Sequence, residues 1–186
     1  MSVPEIFRRI TSAFDSAGIP YMLSGSFASA YYGAVRSTQD IDFVVAPTAE
    51  QLRNFVRSLP SGKYYVDLDA AIESLEHRSL FNVIDLATGW KIDLIVCKSR
   101  AFSQEEFRRR QRVNLEDLTI FVASAEDVIV SKLEWSKLAG SRRQIEDVAG
   151  VLRMRSESLD WKYLERWIGE LGLKEQWRDA RSVAEL

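Results

Sequence analysis

Residues 21–45 read YMLSGSFASAYYGAVRSTQDIDFVV, and residues 90–97 read WKIDLIVC. In the first stretch Ile41, Phe43, Val44 and Val45 are β-branched or aromatic, which predicts a strand over 40–45. Residues 21–24 read as a short strand, and the small and aromatic residues 26–33 as a short helix ended by Gly33. Side chains alternate along a strand, so Asp40 and Asp42 share one face with Cα atoms about 6.6 Å apart. Neighbouring anions destabilise each other's charged form unless something positive lies between them. A hard divalent cation does this, since Mg²⁺ takes oxygen ligands from one or two carboxylates and fills its shell with water and phosphate. A solvated strand edge is the alternative. In the second stretch Trp90, Ile92, Leu94 and Val96 line one face, and Lys91, Asp93, Ile95 and Cys97 line the other. A carboxylate among apolar neighbours needs a cation partner. Lys91 on the same face is one candidate; a metal shared with Asp40 and Asp42 is the other.

Between strand and helix, Ser24-Gly25-Ser26 offers a glycine that turns sharply and allows close approach of a ligand. It also offers a hydroxyl and the unpaired N–H groups of a helix start, which suit phosphate oxygens. A plain turn with an N-cap serves the same sequence. Upstream, Ile6, Phe7, Ile10 and Phe14 form one apolar stripe, so 3–17 is a helix, with Ser2 and Glu5 at capping-box spacing. Thr48 and Gln51 repeat that spacing ahead of Leu52, Phe55, Val56 and Leu59, and Pro60 closes that helix. A strand near 63–66 and a helix near 68–75 follow. Segments 80–86 and 90–97 form a hairpin around Ala87-Thr88-Gly89, which leaves Asp85 on the facing strand without an assigned role. Ser103 and Glu106 start a further short helix, and 118–122 is the last strand.

From residue 124 the chain reads as helix: 124–138, 141–153, 160–170 and a shorter C-terminal segment. The expected fold is α+β, a mixed β-sheet core (1–122) with a C-terminal helical region (123–186) packed on it as one compact unit. Four tryptophans, Trp135, Trp161, Trp167 and Trp177, fall in that region and read as packing residues. Lys132 lies beside the stripe of Val128, Ile129 and Leu133, so it either snorkels outward or reaches a site beneath the helix. Arg143 and Asp147 have the i,i+4 spacing of a surface ion pair.

Composition narrows the function classes. Apolar residues make up 46% and charged residues 28% of 186, which excludes wholesale disorder. Twenty-five basic against 27 acidic residues give a net charge of −2, so no bulk positive field holds nucleic acid. Arg108, Arg109, Arg110 and Arg112 read as a solvated helix face, with attraction of an RNA acceptor as the alternative. One cysteine, Cys97, and one histidine, His77, exclude an intramolecular disulfide and a Cys/His zinc cage. Cys97 is expected to be an ordinary buried thiol and His77 structural. No segment has the length of a signal peptide's apolar core or a membrane span, and a cytoplasmic location without membrane association is expected.

The order and spacing of these parts carry a resemblance. LSGS, then TQDIDFVV, then a distant KIDLIV resembles the signature of the nucleotidyltransferase superfamily with the DNA polymerase β-like fold. EDVIVSKLEWSKLAGSRRQIEDVAGVL looks like the tail of its minimal bacterial branch, which includes the AbiEii-like toxins. The resemblance implies Mg²⁺- or Mn²⁺-dependent transfer of a nucleoside monophosphate from an NTP to an acceptor hydroxyl on RNA such as tRNA, a protein or a small molecule. It implies Asp40, Asp42 and Asp93 as metal-ligating catalytic acids, with Asp93 also able to accept the nucleophile's proton. Gly25, Ser26, Lys132, Arg143 and Asp147 are implied as nucleotide-binding positions. Arg36, just before the acid pair, reads as a contact to the triphosphate or the acceptor, with a solvent-exposed loop arginine as the alternative. A toxin with an antitoxin partner is one form this takes; a non-catalytic nucleotide-binding or regulatory module of the same fold is the rival. Asp40-Ile41-Asp42 also fits the haloacid-dehalogenase motif formally. That family needs an apolar strand ending at the first acid, whereas here Arg36-Ser37-Thr38-Gln39 precedes it and the apolar run follows.

Overall fold

The structure is a computed structural model and describes residues 3–115 and 118–186. The chain divides into two compact units, one of Met1–Leu23 with Gln39–Val122 and one of Ser24–Thr38 with Ala123–Leu186. The short segment 24–38 is therefore grouped with the C-terminal helices.

The first unit holds a mixed sheet of strands β1 (Tyr21–Leu23), β2 (Asp40–Val45), β3 (Tyr64–Tyr65), β4 (Leu80–Asp85), β5 (Lys91–Val96), β6 (Gln111–Leu115) and β7 (Leu118–Val122). Their order is β3-β4-β5-β2-β1-β7-β6. Pairs β2–β5 and β1–β7 are parallel, and the others are antiparallel. In β2 and β5 every second residue is buried: Ile41, Phe43 and Val45, then Ile92, Leu94 and Val96. Against that face lie α1 (Val3–Ala17) and α3 (Ala49–Ser58), and Phe14 packs edge-on to Phe43 at 5.3 Å and stacks on Phe55 at 5.1 Å. The opposite face of the two strands carries Asp40, Asp42, Lys91 and Asp93, as the alternation predicted.

Local signals explain the helix ends. The capping box at Thr48 forms in full, with Gln51 N–H donating to the Thr48 hydroxyl and Thr48 N–H to the Gln51 side chain. The box expected at Ser2 lies outside the described residues. Asp67 caps α4 (Leu68–His77), which runs past the expected end at 75 to an exposed His77. Helix α5 (Ala101–Arg108) begins two residues ahead of Ser103, with Arg100 at its N-cap. Asp85 is buried and its Oδ1 accepts from the Ala87 and Thr88 N–H groups and the Thr88 hydroxyl, so it ties down the β4–β5 turn. Strand β6 was not foreseen. Arg112 lies on it, so the arginine cluster is not one helix face: Arg108 ends α5, while Arg110 covers the rings of Phe107 at 4.4 Å and Phe121 at 5.2 Å. Cys97 is buried, and burial pushes its thiol pKa up.

The second unit is helical: α2 (Gly25–Tyr31), α6 (Ala125–Ala139), α7 (Arg142–Arg155), α8 (Trp161–Glu170) and α9 (Lys174–Ala184). Asp127 at the start of α6 is fully buried and accepts from the Ser124 hydroxyl at 2.6 Å and the Tyr163 hydroxyl at 2.5 Å. Tyr32 donates to the Ala123 carbonyl at 2.8 Å. Trp167 is buried, Trp161 packs against Trp177 at 6.1 Å, and Trp135 is largely exposed, so packing accounts for three of the four tryptophans of this region. No helix of the described residues is long and apolar enough to cross a membrane.

Candidate functional site

In the sheet unit the register of two parallel strands gathers the acids. Asp40 is the partner of Lys91, and Asp42 the partner of Asp93, on adjacent strands β2 and β5. On the other side of β5, Asn82 of β4 is the partner of Asp93. Asp42, Asp93 and Asn82 thus form one row across three strands. Neighbouring strands lie about 4.8 Å apart, so Asp42 and Asp93 are close enough to repel strongly without a counter-charge. Lys91 supplies one: its ammonium lies 3.0 Å from Asp93 Oδ2 and 3.6 Å from Asp40 Oδ1. The hydrogen bond to Asp93 raises the Lys91 pKa most; burial opposes it, and the charges of Asp93 and Asp40 add to it. Asp93 is the sheltered member, 14% exposed against 53% for Asp40, and its Oδ1 accepts a hydrogen bond from the Asn82 side-chain amide.

The donor set fits a hard divalent cation, because it is all carboxylate oxygen on one face and already holds a positive group. Among the described residues, however, no three acid, histidine or cysteine side chains converge as a ready-made metal cage. Lys91 is in contact with Asp93, and Asp40 and Asp42 share the face.

In the helical unit a second cluster forms around Asp147. Gly140 ends α6 in the left-handed region (φ 62°), which turns the chain into α7 and sets Lys132 beside Asp147. Lys132 Nζ donates to Asp147 Oδ2 at 2.6 Å and to Gln144 Oε1 at 3.0 Å. Arg36 Nε lies 3.2 and 3.1 Å from the two Asp147 oxygens, and its Nη2 donates to the Ser26 hydroxyl. Lys132 and Asp147 are each 4% exposed. A buried ion pair persists only when much of its remaining hydrogen-bonding capacity is met, and Gln144, Arg36 and Ser26 serve this pair. The partners of Asp147 are Lys132 and Arg36, so the i,i+4 surface pair with Arg143 is not what forms. A cleft of about 470 Å³ opens beside the cluster, with Arg36, Asp147, Arg143 and Arg153 on its walls. Gly25 has φ 60°, a conformation costly for any residue with a Cβ, and Ser26 behind it is buried.

The structure thus brings Ser26, Arg36, Lys132 and Asp147 into one network, with Arg143 on the wall of the adjoining cleft, and places Asp40, Asp42 and Asp93 on one sheet face. Sequence reasoning missed Asn82 and Gln144. Only strand register reveals the first. Gln144 is three residues before Asp147 on α7, a spacing that a helical wheel around Asp147 exposes.

No family model matches the sequence. No curated protein matches it either. Solved structures do. The antibiotic-resistance factor ANT(2'')-Ia, determined in solution, superposes with a TM-score of 0.58 at 13% identity over 92% of this chain and 91% of that one. The lincomycin-bound lincosamide antibiotic adenylyltransferase LnuA gives 0.56 at 14% identity over 81% and 96%. An antigenic nucleotidyltransferase-like protein from Paracoccidioides brasiliensis gives 0.54 at 17% identity over 95% and 89%. The likeness is one of fold, and the chain has the nucleotidyltransferase fold that its motifs predicted.

Proposed function

We propose that this protein is a metal-dependent nucleotidyltransferase that moves a nucleoside monophosphate from an NTP to an acceptor hydroxyl and releases pyrophosphate. The observation that carries the reading is the pairing of Asp42 with Asp93, and of Asp40 with Lys91, on one face of parallel strands in a nucleotidyltransferase fold. Asp40, Asp42 and Asp93 would hold Mg²⁺ or Mn²⁺, which would supply the charge neutralisation that phosphoryl-type transfer requires. The chain's own residues do the rest. Asp93, whose Oδ1 accepts from the Asn82 amide, is the carboxylate we assign to take the proton of the attacking hydroxyl. Lys132 and Arg36, both held by Asp147, are the cations assigned to the triphosphate; Arg143 adds a third. Gly25 allows close approach of a phosphate, and Ser26 offers its hydroxyl.

The acceptor is an RNA, a protein or a small molecule. An AbiEii-like toxin role with an antitoxin partner is the narrower form of the reading and rests on the sequence likeness of residues 126–152. A second reading has a specific observation in its favour: Lys91 already pairs with Asp40 and Asp93, as it would in a non-catalytic module of the same fold. Calorimetry of NTP binding with and without Mg²⁺ separates the two. The enzyme reading expects Mg²⁺-dependent binding that is lost in Asp42→Ala; unaltered affinity in that variant favours the module.

A further inference from the structure

We propose that Lys91 is a resident counter-cation of the acid face, which a divalent ion must displace from Asp93 before the three carboxylates bind that ion together. The inference rests on the metal-dependent reading above and adds the element that controls metal entry. Both oxygens of Asp93 are engaged: Oδ1 by the Asn82 amide and Oδ2 by the Lys91 ammonium at 3.0 Å. Strand register sets Asn82 opposite Asp93, where its amide holds Oδ1, so the oxygen that a metal would take is the one that Lys91 holds. The same ammonium reaches Asp40 at 3.6 Å and so bridges two strands of the site. A carboxylate oxygen has lone pairs to share, but sharing would set a divalent ion within a few ångströms of a full positive charge. That repulsion far exceeds the gain from keeping a half-exposed ion pair. The Lys91 side chain is 42% exposed on a flexible four-carbon stem, so it can leave without disturbing the core. Lys91 in its observed position should therefore weaken divalent-ion binding at this face.

The test is direct Mn²⁺ titration followed by the electron paramagnetic resonance of free Mn²⁺, on the full chain without nucleotide. Lys91→Met should bind Mn²⁺ about tenfold more tightly than wild type, and Lys91→Arg should behave like wild type. Unchanged or weaker binding by a folded Lys91→Met, with Asp42→Ala still abolishing binding, overturns the role of Lys91 and leaves the proposed function standing. Absence of Mn²⁺ binding in wild type and Lys91→Met alike overturns both. A measurement on the wild type covers a variant that fails to fold. Acetylation at Lys91, followed by mass spectrometry at fixed pH, should speed up several-fold when Mn²⁺ is added; a rate at Lys91 indifferent to Mn²⁺ contradicts displacement.

Discussion

Asp147 has two cationic partners from distant parts of the chain, Lys132 fifteen residues before it and Arg36 a further 96 before that. Removing Lys132 leaves the carboxylate buried with Arg36 alone. Lys132→Met should cost on the order of 3 kcal/mol, read as a fall in the urea midpoint. The double variant Lys132→Met/Asp147→Leu should recover part of it, because the buried carboxylate that lost a partner is gone; a double variant no more stable than the single one would contradict this account of the pair. The two residues were legible only through likeness to a family. By spacing alone Asp147 belongs with Arg143, and nothing local in the sequence tells which helix face meets α6. Asn82 gave no local signal either, since its importance comes from being opposite Asp93 in the ladder. Asp93 was conspicuous because a carboxylate in an apolar strand is expensive, and strand alternation put Asp40 and Asp42 on one shared face.

At the scale of elements, close approach of α7 to the segment after α2 depends on small residues. A Cβ on Gly150 would lie 2.9 Å from Ala34 Cβ and 3.0 Å from its Cα. Gly150→Ala gains about 1 kcal/mol of helix propensity. It loses about 1–3 kcal/mol by overpacking against backbone that cannot rotate away. A net drop in melting temperature is expected, and a rise would show that the segment yields freely. In the sheet unit, Tyr21 at the start of β1 has its pKa pushed up to about 12, chiefly by burial, then by the charge of Asp15. The unfolded chain ionises this hydroxyl near pH 10. Its contribution to stability is thus fully present below pH 10 and is lost as pH rises toward 12. Tyr21→Phe should flatten the fall in melting temperature between pH 10 and 12; an unchanged slope would assign it to other groups.

Most elements were readable from period and caps. The β-branched run of β2, the capping box of α3 and the hairpin turn all formed where expected. Strand β6 was not readable. QRVNL mixes charge and amide with two apolar residues, and it becomes a strand because antiparallel pairing with β7 supplies its hydrogen bonds. Tertiary context also decided that segment 24–38 is grouped with the C-terminal helices. Its strand–turn–helix pattern is the same either way.

At the scale of the whole molecule, a net charge of −2 provides no general attraction for polyanions. Any nucleotide must therefore be captured by local groups and a cation. Mg²⁺ with the preferred NTP should raise the melting temperature of wild type, equivalent to about 2.7 kcal/mol at a hundredfold excess over Kd. EDTA should remove the effect, and Asp42→Ala should not show it. The acid face is proposed to transfer a nucleotide. Incubation with each α-labelled NTP, Mg²⁺ or Mn²⁺ and a cell extract, for wild type beside Asp42→Ala and Asp93→Ala, tests it most directly. Wild type should label one acceptor and release pyrophosphate, with at least a hundredfold loss in both variants. Wild type that consumes no NTP with any acceptor, or variants that label as well as wild type, would contradict it.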